Sequence, residues 1–99
     1  MESEKSRKAV VIDPLDNVAT AITKLESGST VNIRDEVNKR IILVQSIPFG
    51  HKFALRRIER GEKIIKYGEV IGRATKIIKR GAHVHIHNVE SMRGRGDLL

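Results

Sequence analysis

Three of the chain's four histidines fall in "GAHVHIHNVESMRGRGDL" (81–98), as His83, His85 and His87. Imidazole titrates near neutral pH, so it can carry a proton or donate a nitrogen lone pair to a metal with little tuning. Strict alternation is the period of a strand. It predicts three rings on one face, with Val84 and Ile86 on the other. Same-face neighbours would stand about 6–7 Å apart, from a rise of ~3.3 Å per residue. Two such rings can converge on one ion. All three span about 13 Å and would need a bent strand. His83 and His85 are therefore the metal-ligand pair that the spacing suggests, with a third ligand from elsewhere, and His51 is the only other histidine. The same row also suits the water-facing side of an edge strand, since Val84 and Ile86 already supply a face to bury.

Other groups could join that chemistry. In "GHK" (50–52), Gly50 lets a ligand approach the backbone, His51 can carry a proton and Lys52 adds a positive charge. Lys66 and Tyr67, just before Gly68, place an amine and a phenol at a turn, where they can grip a carboxylate or simply face water. Asn88 adjoins the histidines. The tail "RGRGD", with Arg93, is one copy of an arginine–glycine segment. It suits an anionic substrate, an acidic partner or RNA.

The elements that must position these residues are short. "KAVVI" (8–12) reads as a strand that ends before Pro14. "DNVATAITKLESG" (16–28) carries a helical signal. Asp16 or Asn17 can cap it, Val18, Ile22 and Leu25 share a face, and Gly28 can stop it, giving one short helix near residues 16–26. The period then changes to two. "TVNI" (30–33), "RIILVQS" (40–46) and "HKFALRRI" (51–58) read as strands, with "DEVNK" and "IPFG" as turns. Phe53 and Leu55 should share one side, joined by His51 if the strand begins that early. "RGEKII" and "YGEVIG" repeat Gly-Glu-x-Ile seven residues apart, and each reads as a turn feeding a strand. In "VIGRATKII" (70–78), Gly72 marks a bulge or bend. Six or seven strands and one helix describe a compact, mostly-β domain over residues 8–90. A flexible leader (1–7) and a basic tail (91–99) flank it.

The composition narrows the functions. The 99 residues include no cysteine, which excludes a disulfide scaffold and a cysteine metal site within the chain and points to a cytoplasmic home. Aromatics are limited to Phe49, Phe53 and Tyr67, so the core is aliphatic. The longest apolar runs, "AVVI" and "IILV", fall far short of the ~20 residues of a membrane-spanning helix, and no signal peptide is visible. The net charge of +7 raises nucleic acid as a partner. Basic residues are nevertheless spread from Lys5 to Arg95 without interleaved aromatics, which argues against a stacking platform.

Taken together, "DNVATAI", "IPFGHKFAL", "IIKYGEVIGRAT" and "GAHVHIHNVESMRGRGDL" resemble one family. It is the small N-terminal SAF-type module of the altronate/galactarate dehydratases and the small subunit of sulfolactate sulfo-lyase. The likeness runs from about Asp16 to Leu98. It implies a β-clip fold of short, bent strands. It also implies work beside a much larger catalytic chain that eliminates water, or sulfite, from an acidic sugar or hydroxy acid with a divalent metal, commonly iron(II), held mainly by the large subunit. At 99 residues the chain resembles the separate small subunit, inactive alone. The resemblance carries over His51, Lys52, Lys66, Tyr67, His83, His85, His87 and Asn88; the chemistry suits His51, His85 and His87 as catalytic groups, Lys52, Lys66, Tyr67, Asn88 and Arg93 as substrate-binding groups, and His83 and His85 for a metal. A non-catalytic SAF module that binds a sugar acid or a protein is the alternative, because fold alone warrants no activity.

Overall fold

A computed structural model describes residues 8–33 and 40–91. The leader (1–7), the turn "DEVNK" and the tail from 92 onward, Arg93 included, lie outside the described residues. Within them the chain forms nine short strands and no helix. These are β1 (Ala9–Val10), β2 (Val18–Ala21), β3 (Thr30–Asn32), β4 (Arg40–Ile42), β5 (Lys52–Ala54), β6 (Lys63–Lys66), β7 (Glu69–Ala74), β8 (His83–Val84) and β9 (Val89–Ser91). They build a four-stranded sheet β1-β2-β5-β8, the hairpin β3-β4 and a three-stranded sheet β6-β7-β9. All pairings are antiparallel.

The four-stranded sheet separates two apolar cores. Side chains alternate across a strand, so neighbouring residues enter different cores. Ala19, Ala21 and Phe53 pack into one core with Val31, Ile41, Leu43 and Ile47. Val18, Ala54 and Val84 pack into the other with Ile58, Ile64 and Ile78. The mostly-β expectation holds, with cores that are mostly aliphatic around the one buried aromatic, Phe53.

The short helix expected near residues 16–26 is absent. Val18–Ala21 is instead an interior strand, flanked by β1 and β5. Both its faces are buried, so its apolar residues do not alternate and the spacing of Val18, Ile22 and Leu25 imitates a helix. Ile22, expected on the buried face, is 39% exposed. Asp16 and Asn17 reach across to the β6–β7 hairpin instead of capping a helix. Asp16 Oδ1 accepts from the Gly68 amide at 2.8 Å. Asn17 Oδ1 accepts from the Ile65 amide and its Nδ2 donates to the Lys63 carbonyl, each at 2.8 Å. Tertiary pairing has overridden local propensity.

The architecture rests on a repeat that the Gly-Glu echo does not reveal. Four segments share the form apolar-x-x-Gly-x-x-apolar: Leu25–Gly28–Val31, Ile47–Gly50–Phe53, Ile58–Gly61–Ile64 and Ile78–Gly81–Val84. All four glycines have φ between 82° and 88°. None of the eight apolar residues is more than 3% exposed. The first residues of the segments form reciprocal bridges, Leu25 with Ile47 and Ile58 with Ile78. Each glycine amide then donates to a carbonyl four residues before the partner's bridge residue: Leu43, Ala21, Ala74 and Ala54 in turn. The second and fourth segments run into β5 and β8, which lie side by side. The repeat therefore delivers His51–Lys52 and His83 to one place from sequence positions 32 residues apart.

Two smaller expectations also hold. The β6–β7 register shifts between Ile64 and Ile65, opposite Ile71 and beside Gly72, which is the expected bulge. Lys66 and Glu69 close a hairpin through Tyr67 and Gly68, at φ 56° and 74°. Positive φ at both central residues suits the twist of a two-residue hairpin. It turns Lys66 and Tyr67 toward the same region as Lys52.

Candidate functional site

The β5–β8 register sets the histidine geometry. Phe53 pairs with His83 and Lys52 with Val84. Continuing the same count puts His51 opposite His85, on the face that carries Phe53 and His83. The rings meet accordingly. His51 and His85 stack with centroids 4.3 Å apart, and His51 and His83 lie 5.0 Å apart. His51 Nδ1 and His83 Nε2 are 2.8 Å apart, a hydrogen bond whose donor depends on the tautomer. His83 and His85 are nearly parallel at 5.5 Å.

The row of three histidines on one continuous strand is corrected by the structure. β8 ends at Val84, and His85–Asn88 form a turn closed by the Asn88 amide donating to the His85 carbonyl at 3.0 Å. Ile86, expected to be buried opposite the histidines, is 84% exposed. The turn supplies the bend that three converging rings need. His87 remains near His83, at 5.3 Å between centroids, but stands out in solvent.

Asn88, expected among the substrate-binding groups, is 5% exposed and engaged within this turn. Its Oδ1 accepts from the His85 amide at 2.9 Å and its Nδ2 donates to the His83 carbonyl at 2.8 Å. It therefore positions two histidines. Asn88→Ala would leave the part-buried His85 amide and His83 carbonyl unmatched. The expected loss is about 2 kcal/mol, the low end of roughly 1–3 kcal/mol for each of the two groups because both bonds are part-buried, read as a lower urea midpoint at unchanged slope. An unchanged midpoint would mean that the turn holds without the side chain.

Burial, and then neighbouring charge, makes His83 and His85 weaker bases than a free imidazole. Partial burial, then the charges of His51, His87, His85 and Lys52, lower the His83 pKa to about 4. It is therefore neutral at pH 7, with one ring nitrogen protonated and the other carrying a lone pair. Desolvation, followed by the charges of His51, Lys52 and His87, also lowers His85. Lys52 is lowered by burial first and by Lys66 second. Two ammonium groups that repel one another across a cleft invite an anion between them.

That cleft is a cavity of about 420 Å³ lined by Lys52, Lys66, Tyr67, His85, Ile86 and Ser91, among others. Its size suits a small molecule. Lys66 Nζ lies 4.8 Å over the Tyr67 ring. The structure thus joins Lys52, Lys66, Tyr67 and His85 around one opening, with His51 and His83 behind His85. Sequence reasoning missed the residues that hold this arrangement. Asp16 and Asn17 fix the hairpin bearing Lys66 and Tyr67, and Gln45 Oε1 accepts from the His83 amide at 2.9 Å. Asp16 and Asn17 signal equally well as helix caps, and Gln45 carries no local signal.

The histidines also fit a metal ion. One ring nitrogen from each of His51, His83 and His85 lies within 4.8 Å of the others. Nitrogens about 2.0–2.1 Å from a tetrahedral ion would stand ~3.3 Å apart, within reach of small ring rotations. Imidazole donors suit iron, zinc, nickel or copper more than magnesium or calcium.

An all-strand domain thus brings one imidazole, that of His85, to a cleft shared with the Lys52 and Lys66 ammonium groups. Residues 7–92 match the family described as the altronate/galactarate dehydratase SAF domain, and the chain belongs to that family. It is 43% identical to the altronate dehydratase of Escherichia coli (strain K12) over 82 residues, 83% of this chain and 16% of that enzyme. It is 48% identical to the (2R)-sulfolactate sulfo-lyase subunit alpha of Chromohalobacter salexigens over 48 residues, 48% of this chain and 51% of that subunit. The corresponding Paracoccus pantotrophus subunit is 39% identical over 59 residues, 60% of this chain and 88% of that subunit. The chain thus spans a small part of the dehydratase and about half or more of the sulfo-lyase subunits. No described helix is long and apolar enough to cross a membrane.

Proposed function

We propose that the chain is the small subunit of a two-chain, altronate dehydratase-like hydro-lyase, working in the cytoplasm with a large catalytic polypeptide. The observation that carries this reading is the one-sided cleft, where His85 meets Lys52 and Lys66 at an exposed edge. Such a half-site suits closure by a second protein surface.

The chemistry follows from the substrate class. Water loss from an aldonate begins with removal of the proton beside the carboxylate. The C–H electrons form the new double bond as the neighbouring C–O bond breaks, and the leaving hydroxide takes a proton to become water. Negative charge grows on an already anionic carboxylate. Lys52 and Lys66 stabilise it from within the cleft. His85, with His51 and His87 near it, can hold or pass the protons. Tyr67 can donate a hydrogen bond to the same anion. A divalent ion, iron(II) by resemblance, would polarise substrate oxygens when bound. The histidine cluster could contribute ligands to it.

Copurification with the large chain, followed by turnover of altronate, galactarate and sulfolactate, tests the reading. Little turnover is expected from either chain alone and full turnover from the pair. Full dehydration by the small chain alone would overturn it. Sulfite elimination from sulfolactate is the second reading, favoured by the match across 88% of the Paracoccus subunit. The substrate panel separates the two. Calorimetry with aldonates separates both from a non-catalytic binding module, which would bind them without any large chain.

A further inference from the structure

We propose that His51, His83 and His85 form a divalent transition-metal site complete within this chain, able to bind its ion with no large subunit present. The inference rests on the cluster's geometry and stands apart from the dehydratase reading.

The donors are already gathered. The three ring nitrogens within 4.8 Å come from the residue just before β5, from β8 and from the turn after it, so the fold and not a flexible tail assembles them. Their backbones are held at several points. The β5–β8 register sets Phe53, two residues after His51, opposite His83, the Gln45 side chain fixes the His83 amide, and Asn88 ties the His83 carbonyl to the His85 amide. Only ring rotation separates this arrangement from three nitrogens on one ion.

The chemistry also favours a metal. The three donors are all imidazole nitrogens, with no carboxylate among them. Neutral rings sharing an ion satisfy their lone pairs together. An all-nitrogen set selects zinc, cobalt(II), nickel or iron(II) over the oxygen-seeking magnesium and calcium. Three protein ligands also leave a coordination position for an outside oxygen, the pattern of catalytic rather than structural sites. His85 lines the Lys52–Lys66 cleft as well, so the ion would sit at the cleft's edge. A hydroxycarboxylate in the cleft can offer it an oxygen while the lysines offset its charge.

Metal-free 99-residue chain titrated with cobalt(II) provides the test, read by visible d–d absorption, with zinc calorimetry alongside. One ion per chain is expected, with no competition from magnesium or calcium. His51→Ala, His83→Ala and His85→Ala should each weaken binding at least about tenfold, because loss of mere outer-shell partners already lowers affinity 10–100-fold. His87→Ala should leave it unchanged. Circular dichroism checks each fold, and His→Gln variants replace any alanine variant that unfolds. Absent binding, or binding lost equally on His87→Ala, overturns the proposal. Those results would leave the two-chain dehydratase reading intact. Normal metal binding with no turnover in the assembled pair would sink the dehydratase reading and leave the site standing.

Discussion

His85→Ala is expected to lower kcat of the assembled enzyme by about 10²–10³-fold, within the range contributed by a positioned proton-transfer group. Of the four histidines, only His85 both belongs to the cluster and lines the cleft. Its side chain is half-exposed on a turn, outside the two apolar cores. Stability should therefore change by no more than about 0.5 kcal/mol, as for most surface substitutions. His87 is near His83 but outside the cleft lining, so His87→Ala should reduce kcat distinctly less. The order His85 over His87 is the structural content of the prediction. Unchanged turnover in both variants would make the histidines a solvated face and remove them from the chemistry. A loss in KM alone would assign His85 to substrate binding instead.

How the site could be read from the sequence follows from how its parts are encoded. The period-two runs at Thr30–Asn32 and Lys52–Ala54 report strands directly, because alternate side chains enter a core. β2 hides itself, since a strand buried on both faces has no alternation to detect. Its neighbours Asp16 and Asn17 mislead for the same reason: short polar side chains bond backbone amides, and the sequence does not say whose. The histidine alternation is real, but its strand stops at Val84 because Asn88 offers the His85 amide a closer partner. The most consequential contact, His51 with His83, spans 32 residues and is set by strand register. Only the four glycine segments announce it, and their apolar positions vary too much to stand out as a repeat. His51 itself stands out only as the fourth histidine, beside Lys52 in "GHK".

The glycine segments themselves can be tested by a matched pair. Gly28 and Gly81 occupy equivalent turns with φ of 88° and 82°. A Cβ on Gly28 would meet nothing within 4 Å. Gly28→Ala should therefore lose only the left-handed backbone penalty, about 1–2 kcal/mol, less a few tenths regained from a stiffer unfolded chain. A Cβ on Gly81 would fall 2.2 Å from the Ile42 carbonyl oxygen and 3.3 Å from Leu43 Cα. Both obstacles are main chain, so no side chain can swing aside. Gly81 also joins the sheets, its amide donating to the Ala54 carbonyl at 2.8 Å and its carbonyl accepting from the Val44 amide at 3.1 Å. Relief of the clash must pull β4 from the β5–β8 edge and shift Ala82–His83. Gly81→Ala is expected to lose more than about 4 kcal/mol, a magnitude reserved for such mechanisms. Urea midpoints of the two variants give the comparison. If they fall together, backbone conformation alone governs the repeat. If Gly81→Ala falls much further, contact between the β4 main chain and this turn is what holds His83 against His51.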